Sequence, residues 1–190
     1  MHMSLDGYVA PADRKSQISQ QDHGIFETAV ADLIKSSDSL LLGKPLADDL
    51  LTYWLNAEQN DAELPANQVQ YARWATKAHK YVLSSKETKL SWPDAELLIA
   101  RRDADFIKSI EELKGRPGRN IVVHGGIRTA HTLTRLNLVD EYQLVVPPVA
   151  LGAGYPLFEN LAKPMTLELL ETKKLKNSAH FLKYRPAKNT

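Results

Sequence analysis

The sequence predicts an α/β protein, with a mostly parallel sheet covered by helices on both faces and closed by an antiparallel hairpin at its carboxyl end. Three observations predict it. Short β-like runs alternate with segments of helical periodicity along most of the chain, which implies parallel crossovers. The last two apolar runs follow one another without a helix between them, so they pair antiparallel. The composition, 43% hydrophobic and 25% charged over 190 residues, suits one folded domain spanning 1–190 with a real core.

Each element has its own signal. A first helix opens at Ser19, whose hydroxyl caps it while Asp22 stands three residues on, and Phe26, Val30, Leu33 and Ile34 make its apolar face. The strands are "SLLLG" (39–43), "KYVLS" (80–84), "ELLIA" (96–100), "NIVVH" (120–124) and "EYQLVVP" (141–147). A helix from about Asp103 turns Phe106, Ile107, Ile110 and Leu113 inward and stops at Gly115, ahead of the turn "GRPGRN". Another runs from Ile127 to Leu136, so Gly125 and Gly126 fall on a strand-to-helix turn. "MTLELLETKKL" and "AHFLKYRP" form the closing hairpin. The stretch 56–78, polar and then helical, reads as an insertion over the site.

Composition also narrows the function. Twenty-four Lys and Arg against 23 Asp and Glu leave a formal charge of +1, which offers no broad attraction to nucleic acid or to anionic membrane. The absence of cysteine excludes disulfides, Cys-ligated zinc and a thiol nucleophile, and suits a reducing cytoplasm. No signal-peptide core and no run of membrane-spanning length is visible, so the chain reads as cytoplasmic. The six histidines show neither H-x-x-x-H nor H-x-E spacing, and no metal site is expected.

Open α/β sheets bind ligands at the carboxyl ends of their strands, and three such ends are equipped here. "HGGIRT" combines paired glycines with a helix N-terminus and the donors of Arg128 and Thr129, which is anion chemistry; a tight turn relieving backbone strain explains the same glycines. "VLSSK" offers Ser84, Ser85 and Lys86, and "LLLGK" offers Gly43 and Lys44. Together the three suggest a ligand with several phosphates. "LGAGYPL" (151–157) imitates a dinucleotide fingerprint, but Leu157 stands at its third glycine and Pro156 opposes a helix start.

"SLDGYVA", "LLLGK", "YVLSS", "VVHGG" and "LNLVDEYQLVVPPVALGAGYPLF", in that order, resemble the dihydrofolate-reductase-like family that includes the reductase domain of riboflavin biosynthesis, the RibD C-terminal domain type. The similarity covers nearly the whole chain except 56–78. It implies a three-layer α/β/α fold with a mixed sheet, NADPH as cofactor, a small-molecule substrate and often a homodimer. By that resemblance Gly125, Gly126, Ile127, Arg128 and Thr129 match the pyrophosphate turn. Gly43 and Lys44 match a Gly-Arg pair facing cofactor phosphates, and Ser84 and Ser85 match serines that take the adenosine 2′-phosphate. Ser16, Ile18 and Ser19 resemble a loop that closes over substrate and nicotinamide.

Departures from the family pattern bear on the substrate. The usual Gly-Arg-x-Thr is "GKPL", so Lys44 supplies a point charge without a planar fork and Leu46 supplies no hydroxyl. Tyr53 and Trp54 stand near where riboflavin reductases tend to offer an Arg, and His124 stands where they tend to carry Glu. A ribityl-phosphate substrate is thereby disfavoured. Hydride transfer also needs a proton source, for which Asp22 and Asp6 are the candidates. Each has a second role open to it: Asp22 as the capping partner of Ser19, and Asp6 as the holder of a turn through backbone N–H groups. The leading expectation is an NADPH-dependent reductase of a small heterocyclic or carbonyl substrate. Its rivals are a dimeric nucleotide-binding module without catalysis, and a true dihydrofolate or 5-amino-6-(5-phosphoribosylamino)uracil reductase.

Overall fold

The structure, a computed structural model, describes residues 1–13, 18, 29–59, 65–92, 94–123 and 126–187, apart from the side chains at 51 and 57–59. Its elements run β1 (Tyr8–Pro11), α1 (Ala31–Ser36), β2 (Ser37–Gly43), α2 (Lys44–Gln59), α3 (Ala66–Lys77), β3 (His79–Ser84), β4 (Ala95–Ile99), α4 (Asp103–Lys114) and β5 (Asn120–Val123). There follow α5 (Ile127–Arg135), β6 (Tyr142–Val146), β7 (Gly154–Pro156), β8 (Leu167–Lys174), a 3-10 turn (Lys176–Ser178) and β9 (His180–Pro186). The fold is α/β, with a parallel sheet and an antiparallel sheet that ends in the β8–β9 hairpin. The described elements gather into two compact units, one of Phe26–Thr129 and one of Met1–Ile25 with Ala130–Thr190.

The Phe26–Thr129 unit is built on the parallel sheet, in the order β4-β3-β2-β5. The inner strands are the ones with continuous apolar runs: Leu40, Leu41 and Leu42 of β2 and Val82 and Leu83 of β3 are all buried. The chain passes from β2 through β3 to β4, then returns to place β5 on the far side of β2, giving two parallel neighbours to β2. Val69, Tyr71, Ala72 and Ala75 of α3 are buried, and Tyr71, Ala72 and Ala75 pack with Leu40 and Trp54. The stretch read as an insertion therefore supplies core to this unit. The Trp54 and Tyr71 rings meet edge to face at 4.8 Å, and Trp74 Nε1 donates to the Ser37 carbonyl at 3.1 Å.

The α4 helix corrects one expectation. Ile110 and Leu113 are buried, but Ile107 is 40% exposed. At 100° per residue, positions 106, 110 and 113 share a narrow stripe and 107 falls on its flank.

The other unit carries the antiparallel sheet β6-β9-β8 and the small β1-β7 pair. Tyr142, Leu144, Val146 and Leu157 form its core with Ala130. Residues before β1 dock on β6, since Met3 N donates to the Val145 carbonyl and Val145 N to the Met1 carbonyl. The β8 register slips between Leu169 and Glu171, so consecutive leucines, Leu169 and Leu170, both stand exposed on an edge strand. Among the described residues no helix is long and apolar enough to cross a membrane.

Candidate functional site

The Phe26–Thr129 unit places three of the predicted segments at the carboxyl end of one parallel sheet. Gly43 ends β2, Ser84 ends β3, and Gly126 follows β5 at the start of α5. The crossover order reverses between β2 and β5, which is where an open α/β sheet leaves a crevice for a ligand.

Thr129, in the first turn of α5, ties two of these ends together. A Cβ built on Gly43 would lie 2.6 Å from Thr129 Oγ1, and one built on Gly126 would lie 3.5 Å from the same atom. Gly43 is thus required by packing, its missing side chain being replaced by the Thr129 hydroxyl. Gly126 is required by conformation, because its φ of 83° lies in the left-handed region. Ile127 is half-buried and Arg128 exposed on the same first turn, while Gly125 lies outside the described residues. The N–H groups that open α5 have no intrahelical acceptors and favour an anion there.

Lys44 opens α2 with Pro45 beside it, where a missing N–H costs the helix nothing. The Lys44 ammonium is paired with the Asp48 carboxylate one turn on, and Asp48 Oδ1 also accepts from Ser91 Oγ at 2.8 Å. Hydrogen bonds from Lys44 and Ser91 hold the Asp48 carboxyl below its usual range. The buried Trp92 Nε1 donates to the Ala47 carbonyl at 2.9 Å, so the loop after β3 is fastened to the start of α2.

At the end of β3, the Ser84 hydroxyl donates to the Lys86 carbonyl at 2.7 Å and receives the Lys86 N–H at 3.3 Å, shaping a tight turn that leaves Ser85 and Lys86 exposed. The parallel register sets Ser84 opposite Ile99, which brings Arg101 beside Ser85: Arg101 Nε donates to the Ser85 carbonyl at 3.1 Å. Arg101 and Arg102 were not singled out from the sequence. An Arg-Arg pair just past a strand was the available signal, but only strand pairing shows which neighbour it joins. Their backbone N–H groups are capped by Asp105 Oδ2 at 2.9 and 3.0 Å, and these bonds keep Asp105 ionised below its usual range.

Asp6 lies in the other unit, in the turn before β1. Its carboxylate accepts from Ser4 Oγ at 2.6 Å, from Leu151 N at 3.0 Å and from Gly152 N at 2.7 Å. The Ser4 hydroxyl, then the Leu151 and Gly152 amides, lower its pKa to about 2. Of the two roles open to Asp6, the hydrogen bonds it accepts are those of a turn holder. The "LGAG" segment is its partner: Gly152 takes a φ of 72°, and at Gly154 a Cβ would meet the Ala10 carbonyl oxygen at 2.3 Å, so the approach of β7 to β1 requires glycine at position 154. His131 bridges within the same unit, with Nε2 2.6 Å from the Pro156 carbonyl and Nδ1 2.8 Å from Glu159 Oε1. Ile18 is buried. Asp22, Ser16 and Ser19 lie outside the described residues. No group of three or more His, Asp or Glu among the described residues could hold a metal ion.

Comparison with known proteins gives this arrangement a context. Residues 1–181 match the family described as the RibD C-terminal domain. The uncharacterized protein YyaP of Bacillus subtilis is 25% identical over 171 residues, covering 90% of this chain and 84% of its own. A structure from Shewanella sp. PV-4, named for riboflavin biosynthesis, superposes with a TM-score of 0.66 at 20% identity, over 99% of this chain and 97% of that one. Dihydrofolate reductase from Enterococcus faecalis, solved in complex with NADP(H), superposes with a TM-score of 0.56 at 10% identity, over 98% and 94%.

Proposed function

We propose that this chain, which belongs to the RibD C-terminal domain family, is a reductase that draws a hydride from NADPH and delivers it to a small heterocyclic or carbonyl substrate. One observation carries the reading: a single parallel sheet gathers Gly43 and Lys44, Ser84 and Ser85 with Arg101, and Gly126 with Thr129 at the carboxyl ends of its strands. That donor set suits a ligand with phosphates at more than one position. The opening N–H groups of α5 and the bare backbone at Gly126 would take the pyrophosphate. Ser85, Lys86 and Arg101 would take a 2′-phosphate, with Arg101 already steadied by the Ser85 carbonyl.

The bound cofactor supplies the hydride, and the protein must orient it, exclude water and deliver a proton. Asp6 is engaged by Leu151 and Gly152, which favours Asp22 over it as the proton source. Asp22 is the remaining candidate from the sequence, and its replacement by Asn should lower kcat while leaving the dissociation constant of NADPH in place.

Saturating the protein with NADPH and following fluorescence transfer from Trp54, Trp74 and Trp92 to the nicotinamide tests the cofactor. Turnover of a pterin, a pyrimidine or a quinone then tests the reaction. Absence of saturable NADPH binding would overturn the reading. Binding without turnover of any such acceptor would favour the second reading, a nucleotide-binding module without catalysis, to which the engagement of Lys44 by Asp48 lends support. A cysteine-free chain using NADPH suits the reducing cytoplasm. The exposed edge of β8 suits a homodimer, with neither nucleic acid nor membrane as partner.

A further inference from the structure

Lys44 follows β2 at the carboxyl end of the parallel sheet, yet its ammonium already has an anion. The Asp48 carboxylate lies one helical turn away, and its other oxygen is held by Ser91, so Asp48 is fixed from two sides. The Lys44 side chain is 21% exposed and that of Asp48 44%, which leaves the carboxylate as the more accessible partner. A carboxylate oxygen and a phosphate oxygen are the same kind of acceptor for an ammonium. Any phosphate approaching Lys44 therefore competes with Asp48 for one positive charge and meets a negative charge within a Debye length of it. The pair is neutral, where a free lysine would contribute a full charge.

We propose that Asp48 is an affinity-setting residue: an internal anion that occupies Lys44 and weakens the hold of this strand end on phosphate groups. The inference rests on the reading of the crevice as a nucleotide site. Ser91 contributes by keeping the carboxylate over Lys44, and its own replacement leaves the charges unchanged.

The test compares NADPH and ADP binding by titration calorimetry for the wild type, Asp48→Asn, Ser91→Ala, Lys44→Ala and the Lys44→Ala/Asp48→Asn double variant. Asp48→Asn should bind both ligands about fivefold more tightly, the factor expected for one partly exposed charge pair. Its affinity should also fall more steeply with salt, which a merely structural role would not produce. Ser91→Ala should change affinity little, and Lys44→Ala should erase the gain when combined with Asp48→Asn. A wild type that binds NADPH, with Asp48→Asn binding equally or more weakly, overturns the inference and leaves the cofactor reading standing. No binding by either protein overturns both. Asp48→Ser repeats the comparison if the Asn variant fails to give a folded circular-dichroism spectrum.

Discussion

The Thr129 hydroxyl occupies the space that a side chain at Gly43 would need, with 2.6 Å separating Oγ1 from the position of a Cβ on residue 43. Gly43 does not have a positive φ, so alanine is acceptable there to the backbone and is refused only by this contact. Gly43→Ala should cost about 1 to 3 kcal/mol, the range for overpacking a well-filled site. Adding Thr129→Ala should recover most of it, because the next nearest side-chain atoms lie at 3.9 Å. Urea denaturation of the two single variants and the double variant closes the cycle, and strictly additive losses would show that the two residues do not meet.

Asp6→Asn should lower the urea midpoint at pH 7. The wild-type carboxyl titrates at about 2 in the folded chain, against an ordinary 3.8, so the stability it contributes is complete above about 4. That contribution is lost as the pH falls through about 2, because the unfolded chain takes up the proton first. The difference between wild type and Asp6→Asn should therefore shrink across this acid window and stay constant above it. A difference that grows in acid would contradict the ionised clamp on Leu151 and Gly152.

Much of this was legible in the sequence where a side chain answers to its own neighbours. Leu40, Leu41 and Leu42 announce an inner strand because three consecutive apolar residues need both faces covered. The α2 helix was not legible, since "GKPLADD" reads as a loop; Pro45 is compatible with a first turn, and only packing on Tyr71 completes the case. β1 and β7 are four and three residues long, each with a proline, and exist only because they pair with one another. Likewise "LGAG" imitates a nucleotide fingerprint locally, while its chemistry is to receive a carboxylate 145 and 146 residues away. The Gly126 turn was legible, but the engagement of Lys44 by Asp48 and the approach of Arg101 to Ser85 depend on geometry that no local pattern carries.

NADPH should bind about tenfold more tightly than NADH, the worth of one well-made charge-assisted hydrogen bond to the extra phosphate. Arg101→Ala should narrow the gap by weakening NADPH alone. Equal dissociation constants for the two cofactors in the wild type would remove the 2′-phosphate from the Ser85 and Arg101 corner.

Sedimentation equilibrium at micromolar concentration should give twice the 21.3 kDa chain mass. Leu169 is 49% exposed and Leu170 40%, on a strand that among the described residues has one side of its backbone ladder unpaired. Replacing both by Lys should return a 21.3 kDa species with unchanged circular dichroism. A wild type that stays at that mass as concentration rises would exclude the dimer.

The pairing of Tyr8–Pro11 with Gly154–Pro156 also orders events in time. During synthesis, everything that builds the parallel sheet has left the ribosome by the end of β5, whereas β1 must wait for a partner nearly 150 residues downstream. The parallel sheet should then form before the Asp6 clamp. The β1–β7 contacts stitch the first-made residues of the chain to a strand made after the whole parallel sheet, so pulse-labelled amides of β3 should gain protection before those of β1.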